Sequence, residues 1–107
     1  MINIRNKIQL VGPVSGIQTF ETENGVLYSK FTVTTTETFF SIDGEKLTQL
    51  IHHECIAYNK EAVFIRDRIL PGDNIAIEGR LIQMAVSKTS KTKTETLVCV
   101  RDLLRLH

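Results

Sequence analysis

The chain has 107 residues, 42% of them hydrophobic, and a formal net charge of +1. That length suits one domain, residues 1–107, with one modest core, and excludes a catalytic domain joined to a regulatory one. Near neutrality excludes polyanion binding through a globally basic surface, so such binding would depend on local clusters of charge. Residues Met1 to Lys7 lack the apolar core of a secretion signal and no later apolar run has membrane-spanning length, so we expect a cytoplasmic protein.

Two strands joined by a tight turn are predicted first. Residues Ile4 to Val11 alternate in polarity, and the pair Gly12-Pro13 is expected to break or bend the strand before it continues from Val14 to Phe20. Asn24-Gly25 is a strong hairpin signal, after which a second strand runs from Val26 to Thr36. The polar face of this second strand carries Tyr28, Lys30, Thr32 and Thr34.

A long hairpin, a third strand and a helix follow. Asp43-Gly44 marks the tip of the hairpin, and the third strand runs from Leu47 to Tyr58. Asn59 is the expected N-cap of a short helix that continues to Leu70, where Pro71-Gly72 stops it.

Two more strands complete the pattern. After the helix, Ile75 and Ile77 alternate toward one face, and Gly79 permits a bend or a close backbone approach in mid-strand. A polar segment from Ser87 to Thr94 separates this strand from the last one, Glu95 to Leu106. The order of three strands, one helix and two strands predicts an all-β fold, a five-stranded Greek-key OB-fold barrel with one short helix between strands 3 and 4.

The sequence carries no catalytic or metal-binding pattern. Cys55 and Cys99 lie within apolar runs, which fits reduced, buried thiols, and no zinc-ligand spacing surrounds them. His52 and His53 are strand neighbours that face opposite ways, so only His52 and Glu54 share a face. Without a third ligand, a nucleophile with its base or a glycine-rich phosphate loop, we expect neither enzyme activity nor a cofactor.

Five segments stand in order along nearly the whole chain: NKIQLVG (6–12), TTTETF (34–39), HHECIAYNKEA (52–62), PGDNIAIEGRL (71–81) and TETLVCV (94–100). Together they resemble the bacterial single-stranded DNA-binding protein family. The resemblance implies an OB-fold that assembles as a homotetramer or dimer, often by pairing first strands across a dyad. It also implies non-catalytic, largely sequence-independent binding of single-stranded DNA in replication, recombination or repair.

The positions at which this family stacks bases fall on Phe39, His52 and Tyr58, each a planar ring. A fourth stacking position falls on Val86, which has no π-face. We expect Phe39 to face the DNA and its neighbour Phe40 to face the core; the alternative is that both cover the barrel end or a subunit contact. For Tyr58 the alternative is a core tyrosine with its hydroxyl at the surface.

Phosphate contacts are assigned to cations near these rings. The loop between the last two strands carries Lys88, Lys91 and Lys93. These lysines can contact the phosphodiester backbone of DNA; the alternative is a solvated loop whose lysines serve only solubility. Arg80 is the nearest cation on the fourth strand, and Lys30 lies on the polar face of the second.

Other positions depart from the resemblance. Glu54 stands where the family commonly places an arginine, and Ile82 and Met84 fill positions where basic residues are usual, which predicts weak binding. The alternative function is an OB-fold protein-interaction module, or a replication-restart accessory protein, that docks a partner on the apolar face of Ile56, Ile82 and Met84. The family's acidic tail is not found in these 107 residues, so replication proteins are not expected to bind through one.

Overall fold

The computed structural model describes residues 5–85 and 93–106. It contains five strands and a helix, in the order β1 (Ile8–Glu21), β2 (Leu27–Phe40), β3 (Lys46–Tyr58), α1 (Asn59–Arg68), β4 (Asn74–Ala85) and β5 (Thr94–Arg105). The strands close into a barrel in the order β1-β2-β3-β5-β4. The predicted five-stranded OB-fold barrel, with its helix between β3 and β4, is therefore confirmed. No helix in the described part of the chain is long and apolar enough to cross a membrane.

The first strand runs unbroken through Gly12-Pro13, so of the predicted break or bend, only the bend is consistent with the structure. Residues 8–13 pair with β4, and Val14 onward pairs with β2. At this point Gly12 lies so close to the carbonyl of Thr34 that a Cβ would overlap the oxygen. The bend is thus absorbed within a strand.

The N-cap expected at Asn59 is wrong. Tyr58 occupies the cap position and makes no side-chain cap hydrogen bond, while Asn59 has a φ of 54°. Asparagine tolerates this left-handed conformation better than most residues, and it turns the chain from β3 directly into α1. The helix ends at Arg68, two residues before the predicted end.

The helix closes the barrel over a compact apolar core. Ala62 and Ile65 of α1 are buried, and Ile65 packs against Phe31 and Val33 in the same core cluster. The one buried polar side chain in the described residues is Ser29. Its hydroxyl donates to the Ala62 carbonyl at 3.2 Å and lies 2.8 Å from the Thr19 hydroxyl, so burying it leaves no unpaired polar group.

The two cysteines have different surroundings. Cys55 is fully buried in the core, and this burial raises the pKa of its thiol to about 12. Cys99 is half-buried on β5, so only Cys55 fits the prediction of two buried thiols.

Gly79 lies at a register shift of the barrel. The β4–β5 register shifts between Glu78 and Gly79, and a Cβ at Gly79 would overlap the Cys99 carbonyl oxygen. The close backbone approach predicted for this glycine is therefore confirmed.

Replacing Gly79 with alanine forces backbone apart, because the overlapping atom is a carbonyl rather than a flexible side chain. We expect Gly79→Ala to lower the free energy of unfolding by about 1–3 kcal/mol in urea titrations followed by circular dichroism. The matched control on the same strand is Gln83→Ala at an exposed position, which should change it by less than about 0.5 kcal/mol. Equal midpoints for both variants would contradict the close approach.

Candidate functional site

The outer face of β2 and β3 is set by an unbroken antiparallel register. The pairs run without a shift from Tyr28–Tyr58 at one end to Phe40–Lys46 at the other. Alternation therefore places every even-numbered residue of both strands on the face opposite the buried Phe31. This face continues onto β5 and β4, where Cys99 lies beside Ile56 and Arg80 beside Cys99, and is called the outer face below.

Three aromatic rings form a row across this face. Phe20 of β1 pairs with Tyr28, and their ring centroids are 5.3 Å apart with an interplanar angle of 29°. Tyr28 pairs in turn with Tyr58, at 6.2 Å and 42°. Phe20 is 41% exposed and the two tyrosines are half-buried, so ring surface remains accessible. Phe20, Tyr28 and Tyr58 are called the aromatic row.

Of these three rings, only Tyr58 was a predicted stacking residue. Counting back from the Asn24-Gly25 turn, whose loop is closed by hydrogen bonds between Thr22 and Val26, brings Phe20 opposite Tyr28. That count was the signal that could have identified the other two rings.

Tyr58 contacts Met84 on one side and the ring of Tyr28 on the other. Its hydroxyl donates to the Met84 sulfur at 3.8 Å across the face. Burial raises the pKa of the Tyr58 phenol; Cys99 and Tyr28 add to the shift and Lys30 opposes it. The ring is thus a neutral, fixed surface on the outer face, rather than a core residue with only its hydroxyl exposed.

The structure does not bring the three predicted stacking residues together. His52 is exposed on the outer face, where its Nδ1 lies 3.0 Å from the Thr34 hydroxyl, but it is six residues from Tyr58, which is about 20 Å along a strand. Phe39 pairs with Leu47 on the opposite face of the hairpin, where its contact with DNA stays a prediction, whereas the expectation that Phe40 faces the core is wrong. Phe40 shares the face of His52 and is 71% exposed, because the hairpin extends beyond the barrel.

A groove lined by basic residues lies at the other side of the outer face. Its volume is about 440 Å³, and its lining includes Lys7, Arg80 and Arg101 together with Glu78 and Cys99. Lys7 contacts Glu78 at 3.5 Å. Among the described residues, Arg80 and Arg101 make no ion pair, and both are exposed. The groove with its three basic residues, Lys7, Arg80 and Arg101, is called the cationic groove.

Arg101 was missed because the sequence does not reveal the register shift beside it. Glu78 pairs with Asp102 and Gly79 with Val100, so Arg101 has no partner on β4 and projects at the irregularity. Arg80, which the sequence did identify, pairs with Cys99 two residues away.

Between the row and the groove, the outer face has an apolar floor. Ile56 and Leu97 are 2% and 1% exposed, although both face outward in the register. Ile56 therefore cannot dock a partner as expected. Ile82 is half-buried and Met84 is 36% exposed, so little of the predicted apolar face remains accessible.

Charged residues surround this floor. Lys30 contacts Glu95 at 2.6 Å, and Glu54 accepts a hydrogen bond from the Thr32 hydroxyl at 2.9 Å. Lys93 is exposed just before β5. Lys88, Lys91 and Val86 lie outside the described residues, so their assigned roles stay predictions.

The histidines face apart, as alternation predicts. His53 lies 2.8 Å from the Thr35 hydroxyl on the face opposite His52. Within residues 5–85 and 93–106, no group of three or more histidine, cysteine or acidic side chains could hold a metal ion.

Residues 5–106 match the sequence model of the single-strand binding protein family. The chain belongs to this family. It is 33% identical over 89 residues to the single-stranded DNA-binding protein of Malacoplasma penetrans (strain HF-2), in an alignment that covers 81% of this chain and 44% of that protein. The chain therefore spans less than half the length of this curated relative.

Two solved structures show the same fold, each with a TM-score of 0.84 and 20% sequence identity. One is a deletion mutant of the single-stranded DNA-binding protein from Thermus aquaticus; the alignment covers 96% of this chain and 51% of that one. The other is the Plasmodium falciparum SSB in complex with single-stranded DNA, with coverage of 100% and 99%. At this identity the likeness establishes the barrel architecture.

Thiol reactivity tests the assignment of the outer face. Cys99 lines the cationic groove, whereas Cys55 is buried with a pKa of about 12. We expect one thiol per native chain to react rapidly with Ellman's reagent, and two after denaturation, because the thiolate is the reactive form. Cys99→Ser should abolish the rapid phase and Cys55→Ser should not. A rapid phase that survives in Cys99→Ser would contradict the placement.

Proposed function

We propose that the protein binds single-stranded DNA, largely without sequence preference and without catalysis, on the outer face of its barrel. The observation that carries this is the aromatic row, whose three rings are held 5.3 and 6.2 Å apart across three neighbouring strands. Unpaired bases expose π-faces that stack on such rings whatever the base, whereas duplex DNA hides them. Membership of a single-strand binding family supports the same function.

The phosphates of a strand stacked on the row would follow the cationic groove. Tyr58 and Arg101 each lie two residues beyond the paired Ile56 and Cys99 on adjacent parallel strands, so the row leads toward the groove. Arg80 and Arg101 make no ion pair among the described residues, so they can neutralise phosphates at no cost in internal contacts.

A longer strand would continue along the β2–β3 hairpin. His52 and Phe40 present rings on the outer face there. Contacts from Phe39, Lys88, Lys91 and Lys93 stay predictions, as do a cytoplasmic location and roles in replication, recombination or repair with protein partners.

We also infer that the chain assembles with copies of itself, as a dimer or tetramer. Residues 8–13 of β1 pair with β4 and with no second strand of the described chain, which leaves an open edge. Beside this edge, Val11 of β1 and Leu104 of β5 both pair with Ala76 of β4, and they are 59% and 62% exposed. An open edge next to exposed apolar residues fits a second copy of the same strand.

The binding proposal is tested by fluorescence anisotropy of a labelled oligothymidylate, with a duplex of equal length as competitor. Tyr28→Ala and Tyr58→Ala should each weaken binding about tenfold, since each stacked base contributes roughly 1–3 kcal/mol. The matched control is Phe64→Ala, which removes a partly exposed ring from α1 and should leave affinity unchanged.

Binding of the single strand that is salt-sensitive and resists duplex competition would support the proposal. Equal affinities for wild type, Tyr28→Ala and Tyr58→Ala would exclude the aromatic row as the platform.

Assembly is tested by light scattering coupled to size exclusion. We expect a mass of two or four times 12.1 kDa. Val11→Lys should have a lower mass, because a lysine there would place its charge in the apolar contact. Leu70→Lys changes an equally exposed leucine outside the barrel wall and should leave the mass unaltered. A wild-type monomer at tens of micromolar would refute the inference.

A further inference from the structure

One ion pair on the outer face joins strands that are not neighbours. The Lys30 ammonium of β2 lies 2.6 Å from Oε1 of Glu95 on β5, and β3 runs between those two strands. The two side chains are 34% and 40% exposed, so the pair is in contact with solvent and can be exchanged.

The residues beneath the pair explain why it forms there. Ile56 is the direct partner of Lys30 on β3, and it is 2% exposed. Leu97, two residues along β5 from Glu95, is 1% exposed. A lysine stem laid across such a floor covers apolar surface while its ammonium reaches the carboxylate beyond.

The pair also lies beside the aromatic row. Lys30 is two residues from Tyr28 on the same face, a distance of about 7 Å along the strand. Ile56, which Lys30 opposes, is likewise two residues from Tyr58. A strand whose bases stack on the row would carry its phosphates within reach of the Lys30 ammonium.

We propose that Glu95 is a built-in competitor of the DNA phosphate for Lys30, and so sets the affinity and the salt dependence of single-strand binding. In the free protein the Glu95 carboxylate is paired with the Lys30 ammonium, which a DNA phosphate would otherwise contact. Binding then exchanges one anion for another at Lys30. This inference rests on the proposed function.

The exchange has a measurable signature. In wild type, Lys30 neutralises a phosphate but Glu95 regains a counterion, so this contact releases no net cation. If Glu95 is neutral, Lys30 meets the phosphate unopposed and about 0.7 of a counterion is released. The slope of log affinity against log salt should therefore become steeper by about 0.7.

The experiment measures oligothymidylate affinity from 50 to 300 mM salt (roughly the range over which phosphate contacts weaken) for wild type, Glu95→Gln, Lys30→Ala and the double variant. We expect Glu95→Gln to bind about three- to fivefold more tightly at the lowest salt, the size of effect an exposed ion pair produces. Lys30→Ala alone should change affinity less than twofold, and the double variant should return to within about twofold of wild type.

Glu54→Gln is the matched control, because Glu54 is an acid of the same face whose observed contact is with Thr32 rather than a cation. Any increase in affinity from Glu54→Gln reflects reduced repulsion between this carboxylate and the phosphates. The increase should therefore persist when Lys30 is alanine, and the slope of log affinity against log salt should stay unchanged. Glu95→Asp, which keeps the charge on a shorter stem, should gain less than Glu95→Gln and provides a second variant if the glutamine form folds poorly.

The inference is overturned if wild type binds but Glu95→Gln shows the same affinity and slope, or if its gain survives removal of Lys30. Those results would leave the proposed function intact. Absence of binding by wild type and every variant at 50 mM salt would overturn the proposed function and this inference together.

Discussion

The register of the β2–β3 ladder runs from Tyr28–Tyr58 to Phe40–Lys46 without a shift, and the placement of Tyr28, Tyr58 and Lys30 on one face depends on it. Because strand side chains alternate, a slip of one residue would exchange the outer and inner faces of one strand relative to the other. The ladder is fixed at its barrel end by Phe31, which cannot leave the core. The same constraint that builds the core therefore aligns the aromatic row on the opposite side.

The outer face combines aromatic surface with charges of both signs, which is consistent with a chain of net charge +1. Lys7 and Lys30 contact Glu78 and Glu95, whereas Arg80 and Arg101 make no ion pair among the described residues. Attraction for a polyanion is thus local rather than global, and part of it is opposed by carboxylates within the same face. For the proposed binding of single-stranded DNA, stacking would then contribute a larger share of the binding free energy than it would on a strongly basic barrel.

Much of the fold could be predicted from the sequence, because periodicity and turn residues act locally. The chain turns at Asn24-Gly25, as predicted. The backbones of β4 and β5 approach closely at Gly79, also as predicted. One error came from a tertiary effect, because Ile56 is buried by its neighbours on the outer face. For the site, alternation counted from Tyr28 places Phe40, rather than Phe39, on the face of the aromatic row. Arg101 could not be foreseen, since its exposure depends on the register shift at Gly79.

The most direct test of the account uses the protein's own fluorescence. The chain contains no tryptophan, and its two tyrosines, Tyr28 and Tyr58, are both in the aromatic row. Tyrosine emission is therefore a reporter of that surface alone, and it can be followed during titration with oligothymidylate, using free tyrosine amide to correct for absorbance. The account predicts quenching that saturates together with binding measured by anisotropy. Full binding with unchanged tyrosine emission would contradict it, because the bases would then be stacked elsewhere.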